Sequence, residues 1–330
     1  MLNAKTITKS VLGAFAAGMA FVVPFSAAHA AYPDQPIRMI VPYPPGGATD
    51  VIGRVVAKAI ADELKVSVVV DNRSGASGSI GAGEVSRSKP DGYTILLGAL
   101  TSHSIYQNLY IKNASYDLNK DFHPVAVVGS VPLVFVVHPS VKANSLSDLI
   151  NLAKASPEKY TIASAGNGSP QQMAGALFAI TADIKLIPVP YRGSGPAMTD
   201  LVGGQVDAMI ETVPAAQAFI KSEKLRALAV TSQDRAPTLP EVPTAKEAGL
   251  ANFDVSSMFG VLAPAGTPMD RIQVLTDAVK KALGDKSVQE SLLAQGVVAG
   301  YKDPAEARQA ISAEITKWHE VIEKAGIKAE

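Results

Sequence analysis

Two long apolar runs, at residues 125–137 and 255–263, interrupt a chain that otherwise alternates short strand-like and helix-like segments. Together they limit the fold more than any other feature. The first is broken by Gly129 and Pro132, as expected of a strand that leaves one sheet for another, and the second has the length for a return crossing. Around them the rhythm is βα. Strands are expected at 37–41, 66–70 and 93–97, with a helix at 50–64 whose Val51, Val55, Ala59 and Leu64 fall near one stripe and a second helix ending near 87. After the first crossing, Ser145-Leu146-Ser147-Asp148 has capping-box spacing and opens a helix. Strands at 160–164, 186–189, 206–210 and 225–231 follow, with helices from 170 to near 181 and at 196–202 and 214–221 between them. The C-terminal part reads as helices at 270–283, 288–295 and 304–324. The expected class is α/β, with two doubly wound lobes joined by two crossover strands. The first lobe takes residues 31–130 and 259–330, and 131–258 form the inserted second lobe. Open α/β sheets bind ligands beyond the carboxyl ends of their strands, so the ligand cleft is expected between the lobes.

The first thirty residues do not belong to that fold. Lys5 and Lys9 precede an apolar stretch at 11–25, and Ala28-His29-Ala30 supplies a small-x-small cleavage site. A membrane anchor is the other reading, but the run is short and carries Gly13, Gly18 and Pro24. Residues 1–30 are therefore expected to be a signal peptide cut before Ala31, leaving 300 residues, and the protein to be periplasmic. The remaining chain has 28 basic and 30 acidic side chains, a net charge of −2 with neutral histidines, and no footprint for nucleic acid. With no cysteine, it has neither disulfides nor a thiol nucleophile.

Little in the chain resembles catalytic machinery. No Gly-x-Ser-x-Gly elbow exists, and His103, His123, His138 and His319 lack metal-site spacing, so no metal, cofactor or enzymatic activity is expected. What remains is Tyr43-Pro44-Pro45-Gly46-Gly47-Ala48-Thr49-Asp50, a strand-to-helix turn with adjacent glycines. Helix N-termini present unpaired N–H groups and a favourable dipole, so the turn suits a small anion; a tight turn with no ligand is the plainer alternative. Thr49 or Asp50 is expected to cap the helix. Gly166-Asn167-Gly168-Ser169-Pro170 occupies the equivalent place in the second lobe. Asn72-Arg73 and the glycines at 75–83 suggest a phosphate loop but lack Gly-Lys-Ser/Thr, and Arg73 is expected to pair with carboxylates or carbonyls. Arg192 is a candidate ligand contact or an interlobe brace. Asp207 either binds a hydroxyl, amine or water of the ligand or caps a turn.

Ordered motifs then carry a resemblance that runs from Tyr32 to Ile327. They include Val41-Pro42-Tyr43 with Gly46-Gly47-x-x-Asp50, Asn72-Arg73-x-Gly75-Ala76-x-Gly78, Pro90-Asp91-Gly92-Tyr93-Thr94, Val189-Pro190-Tyr191-Arg192-Gly193, Gly203-Gly204-Gln205-Val206-Asp207 and Ala263-Pro264-Ala265-Gly266-Thr267-Pro268. The chain resembles the Bug receptors of tripartite tricarboxylate transporters, the periplasmic solute-binding subunits of that system. The resemblance implies a type II periplasmic binding protein fold closing on a small organic carboxylate (mono-, di- or tricarboxylate, aromatic ones included). It implies two loops that pinch one carboxylate, here Tyr43, Pro45, Gly46, Gly47, Ala48 and Thr49 from one lobe and Ser164, Ala165, Gly166, Gly168 and Ser169 from the other. It also implies roles for Asp50 and Asp207, and contacts from Thr101 and Ser102 after the third strand. The implied partners are the ligand and the membrane permease subunits, the receptor being a monomer; a sensory module presenting ligand to a receptor kinase is the alternative. Departures fall near the pocket. Met258 stands where the family often has Trp, Gln171-Gln172 where a His often follows, and Pro44-Pro45 where small residues are usual. They bear on ligand identity.

Overall fold

The structure is a computed structural model, described here for residues 32–329. The expected signal peptide and its cleavage point lie outside the described residues. In chain order the first elements are β1 (Ile37–Val41), α1 (Ala48–Leu64), β2 (Val68–Asn72), α2 (Ser79–Ser86), β3 (Thr94–Ala99) and α3 (Leu100–Leu109). The long β4 (Phe122–Val137) leads to α4 (Leu146–Ala155), β5 (Thr161–Ser164), α5 (Pro170–Ala182), β6 (Ile187–Pro190), α6 (Ser194–Val202), β7 (Ala208–Thr212), α7 (Val213–Lys221) and β8 (Arg226–Val230). The chain returns along β9 (Ser256–Pro264) and ends in α8 (Met269–Gly284), α9 (Lys286–Ala294), β10 (Val298–Lys302) and α10 (Pro304–Ala325).

The strand order is β2-β1-β3-β9-β4-β7-β5-β6, with β8 and β10 also paired to β4. β4 is the crossing strand. Its first half pairs antiparallel with β9 and β10, and its second half with β7 and β8. β1 is parallel to β2 and β3, and β5 is parallel to β6 and β7. Parallel strands need both faces covered, which is why 37–41 is apolar and buried at every position but Arg38. On one face of the first-lobe sheet Met39, Val41 and Leu97 pack against Ile52, Val56 and Ile60 of α1 and against α8; on the other, Ile40 and Leu96 pack against Leu100 and α10. The second lobe is covered in the same way, by α4 and α5 on one face and by α6 and α7 on the other.

Gly260, in the middle of β9, shows how close the layers come. A Cβ there would lie 2.6 Å from Leu100 Cδ1 and 2.8 Å from the Ala126 carbonyl oxygen. Backbone cannot move aside cheaply, so Gly260→Val is expected to lower the unfolding free energy by about 2–3 kcal/mol, read from the urea midpoint. A midpoint equal to wild type would mean that β9 shifts without cost.

The structure departs from expectation in four places. α1 starts at Ala48, and Gly47 is its N-cap with no side-chain cap, so neither Thr49 nor Asp50 caps it. β2 runs two residues later than expected because Asp71 and Asn72 stay in register with Ile40 and Val41, and Asp71 takes the Arg38 guanidinium at 2.5 Å. α3 was not expected. Its sequence is a weak helix former, and packing onto α10 decides it: the Asn108 side-chain amide donates to the Ile315 carbonyl at 2.8 Å. β10 was not expected either; it forms because the exposed edge of β4 is there to pair with.

Candidate functional site

Both glycine loops leave the carboxyl ends of parallel strands. After β1, residues 44–48 are exposed, and Gly46 has φ +81°. The first-turn N–H groups of α1 have no carbonyl inside the helix to bond and no side-chain cap. Asp50, three residues into the helix, is 2% exposed and turns its carboxylate inward. Oδ2 accepts the Gly46 N–H at 2.9 Å and Arg54 Nε at 3.0 Å, and Oδ1 accepts the Asn72 side-chain amide at 2.9 Å. That same Asn72 amide also donates to the Tyr43 carbonyl at 3.0 Å, so β2 ties both ends of the loop. Burial pushes the Asp50 carboxyl up, but Arg54, the Gly46 amide and Asn72 outweigh it and hold it below the usual range. The acid that would repel an anion is therefore paired internally, and the helix start beside the exposed residues 44–48 carries no side-chain cap.

Tyr43 is half-buried, its hydroxyl donating to the Ser77 carbonyl at 3.3 Å and its ring lying beside His103. Ser102 sits within reach of that phenol on the first turn of α3. His103 is fully buried with Nδ1 2.9 Å from the Tyr116 hydroxyl, and burial pushes its pKa down to about 4. It is a packing residue behind the loop.

In the second lobe, Ser164 ends β5, and its carbonyl accepts the Tyr191 N–H at 3.0 Å, while the Ala165 carbonyl accepts the Gly193 N–H at 3.2 Å. Gly166 and Gly168 have φ +113° and +72°. The Gly168 N–H donates to Gln172 Oε1 at 2.8 Å, and Ser169 caps α5 by accepting the Gln172 N–H at 3.2 Å. A Cβ at Gly166 would lie 2.8 Å from the Tyr191 carbonyl oxygen, so only glycine fits between this loop and the next. Arg192 is exposed on that next loop, between β6 and α6. Ser164, 166–169 and Arg192 therefore share one end of the second-lobe sheet.

Three other expected residues are placed differently. Asp207 precedes β7, and its carboxylate accepts the Thr161 N–H and hydroxyl, both at 2.8 Å. Thr161 begins β5, so Asp207 lies at the far end from Ser164, roughly 10 Å along the strand. Thr101 is fully buried, its hydroxyl 2.8 Å from Glu314 Oε2 and 3.1 Å from the Ser256 carbonyl, and accepting the Met258 N–H at 3.1 Å. It straps α3 to β9 and α10. Met258 lines a cavity of about 540 Å³ at the crossing of β4 and β9, along with Ser130, Ser256 and Glu314; neither glycine loop lines it. Arg73 pairs with Asp71 at 3.2 Å and with Glu84 at 3.6 Å.

Two participants went unread in the sequence. Asn72 was seen only as part of a loop motif, yet it closes the Asp50 network. Glu211 falls between the expected strand at 206–210 and the expected helix at 214–221; it is fully buried at the carboxyl end of β7. An acid near the end of an apolar strand, two residues before Val213-Pro214, was the available signal.

Two α/β lobes joined by crossing strands, with helix N-termini opening from strand ends in each, define a periplasmic solute-binding protein of the type II kind. The chain belongs to a particular family of these receptors: the family model described as "Tripartite tricarboxylate transporter family receptor" matches residues 52–327. The chain is 40% identical to protein BugT of Bordetella pertussis over 319 residues, covering 97% of each chain. Among solved structures it is similar to Rpa4515 of R. palustris with adipate (34% identity, TM-score 0.76, covering 90% of this chain and 99% of that one). It is also similar to MatC of Rhodopseudomonas palustris with bound malate (31% identity, TM-score 0.72, covering 88% and 100%).

Proposed function

We propose that this protein captures a small organic carboxylate in the periplasm and delivers it to a membrane transporter of the tripartite tricarboxylate type. The observation that carries this reading is the uncapped N-terminus of α1, which follows the exposed residues 44–48 while Asp50 is turned inward and bonded. Backbone N–H groups already held in place need no reorganisation to receive a carboxylate, and a neutral site can release it again. In this reading Tyr43, Pro45, Gly46, Gly47, Ala48 and Thr49 meet one side of the carboxylate. Ser164, Ala165, Gly166, Gly168, Ser169 and Arg192 meet the other, as lobes 31–130 with 259–330 and 131–258 close about β4 and β9. Thr101, Asp50 and Asp207 act through the backbone they hold. The relatives solved with adipate and malate favour the same ligand class.

A thermal-shift screen of mono-, di- and tricarboxylates, followed by calorimetry, tests the reading. A ligand present at one hundred times its dissociation constant stabilises by about 2.7 kcal/mol, which moves the midpoint up by several degrees. A screen in which no organic anion moves the midpoint would overturn it.

A further inference from the structure

Glu211 poses a problem that the carboxylate grip does not solve. It is completely buried, yet Oε2 has no hydrogen-bond partner among the described residues. Oε1 is well served, accepting Gln171 Nε2 at 2.8 Å and the Thr212 N–H at 2.6 Å. The Gln171 amide also reaches Ser194 Oγ at 3.3 Å. These groups come from three helix starts. Gln171 is the second residue of α5, Ser194 the first of α6, and Thr212 the N-cap of α7.

The α7 N-cap amide and the Gln171 side chain both serve one carboxylate oxygen, and the positive end of α7 favours an acid there. They do not explain Oε2. A buried carboxylate oxygen without a donor forfeits its hydration and receives nothing in return, and buried polar atoms in folded proteins are nearly always paired. A glutamine would serve the same two donors without a buried charge. The position is also informative. β7 is parallel to β5, so Glu211 and Thr212 lie at the same sheet end as Ser164 and the 166–169 loop. Glu211 therefore belongs to the sheet end from which both the 164–169 loop and the Arg192 loop emerge.

We propose that Glu211 Oε2 accepts a hydrogen bond from a donor on the ligand, so that this receptor takes amino- or hydroxy-carboxylates in preference to unsubstituted dicarboxylates. The inference rests on the carboxylate reading above and goes beyond it by naming the far group. A protonated amine meeting Oε2 makes a charge-assisted hydrogen bond out of water, and a hydroxyl makes a weaker bond of the same kind. A second ligand carboxylate at that place would set two like charges together in a low-dielectric site.

The test uses four-carbon acids that differ in one terminal group: butyrate, γ-hydroxybutyrate, γ-aminobutyrate and succinate. The matching six-carbon series ends with adipate, and malate and aspartate are compared with succinate. Calorimetry on the wild-type protein is expected to show a hydroxyl or amine member binding at least tenfold more tightly than its unsubstituted dicarboxylate counterpart. In Glu211→Gln the amide oxygen keeps the bonds from Gln171 and Thr212, and the NH2 replaces Oε2. A donor then stands where an acceptor stood, and the order is expected to reverse in favour of the dicarboxylate. An unsubstituted dicarboxylate binding tightest to wild type, or the same order in both proteins, overturns the inference while the carboxylate reading stands. Absence of heat from every acid overturns the carboxylate reading, and the inference with it. If Glu211→Gln does not fold, the wild-type order alone decides.

Discussion

Asp50→Ala is expected to lower the unfolding free energy by about 2–3 kcal/mol and to weaken ligand binding at least tenfold. The carboxylate is 2% exposed and receives three donors, from Gly46, Arg54 and Asn72. Hydrogen bonds to charged groups are worth about 1.5–3 kcal/mol each, and the loss here is moderated because Gly46 and Arg54 are exposed and can turn to water. The larger consequence is for geometry. Asn72 keeps its bond to the Tyr43 carbonyl but loses the one that orients it, and the Gly46 amide is no longer tied to α1. The 43–49 loop then samples conformations in which its amides no longer converge, and binding bears the ordering entropy. Urea unfolding and calorimetry with the ligand found by screening measure the two effects. A destabilised Asp50→Ala with wild-type affinity would remove this loop from the site. The sign of the pH dependence also follows. Because the folded carboxyl titrates below its ordinary value, the stability it contributes is complete above about pH 4 and is lost as the pH falls through the folded value.

Acidification is expected to cost about 3 kcal/mol of stability between pH 7 and pH 4 through His103 alone. Burial lowers its pKa to about 4, against about 6.5 in the unfolded chain. The unfolded state therefore takes up a proton below pH 6.5 that the folded state refuses. Stability is full above that value and drains as the pH falls toward 4. Each pKa unit of difference is worth about 1.36 kcal/mol, which sets the size of the loss. The ring has nowhere to put a second N–H, because Nδ1 meets the Tyr116 hydroxyl and Nε2 has no partner among the described residues. A Cβ at Gly98 would lie 3.0 Å from the ring, so the imidazole rests directly on β3. His103→Phe keeps a ring in that space and cannot titrate. Unfolding free energies of the two proteins at pH 7 and pH 4 isolate the term, and equal losses in both would show that His103 is not its source.

These two residues also mark how far reading the chain could go. The helix at α4 was legible to the residue: Ser145 accepts the Asp148 N–H and Asp148 answers the Ser145 N–H, a bond pair spanning three residues. The crossing strand was legible because an apolar run of that length with Gly129 and Pro132 inside it has few other uses. α3 was not, because nothing within residues 100–109 demands a helix; Thr101 is held by Glu314 and Asn108 by Ile315, more than two hundred residues away. Shorter separations in sequence hid the meaning of the acids as well. Asp50 reads as a helix cap in the sequence, whereas in the fold Asn72 of β2 takes its carboxylate inward.

Local patterns carry what a few consecutive residues can enforce: the α/β class, the two crossings, the glycine turns at strand ends and the helices that follow them. Which polar atoms are spoken for is a different matter, settled only when distant segments meet. Folding leaves the start of α1 without a side-chain cap, encloses His103 against Tyr116, and brings Gln171 of α5 and the start of α7 to Glu211 while supplying donors to one of its two oxygens. A hydrogen bond has two ends, and in these cases the second end comes from another element of the fold.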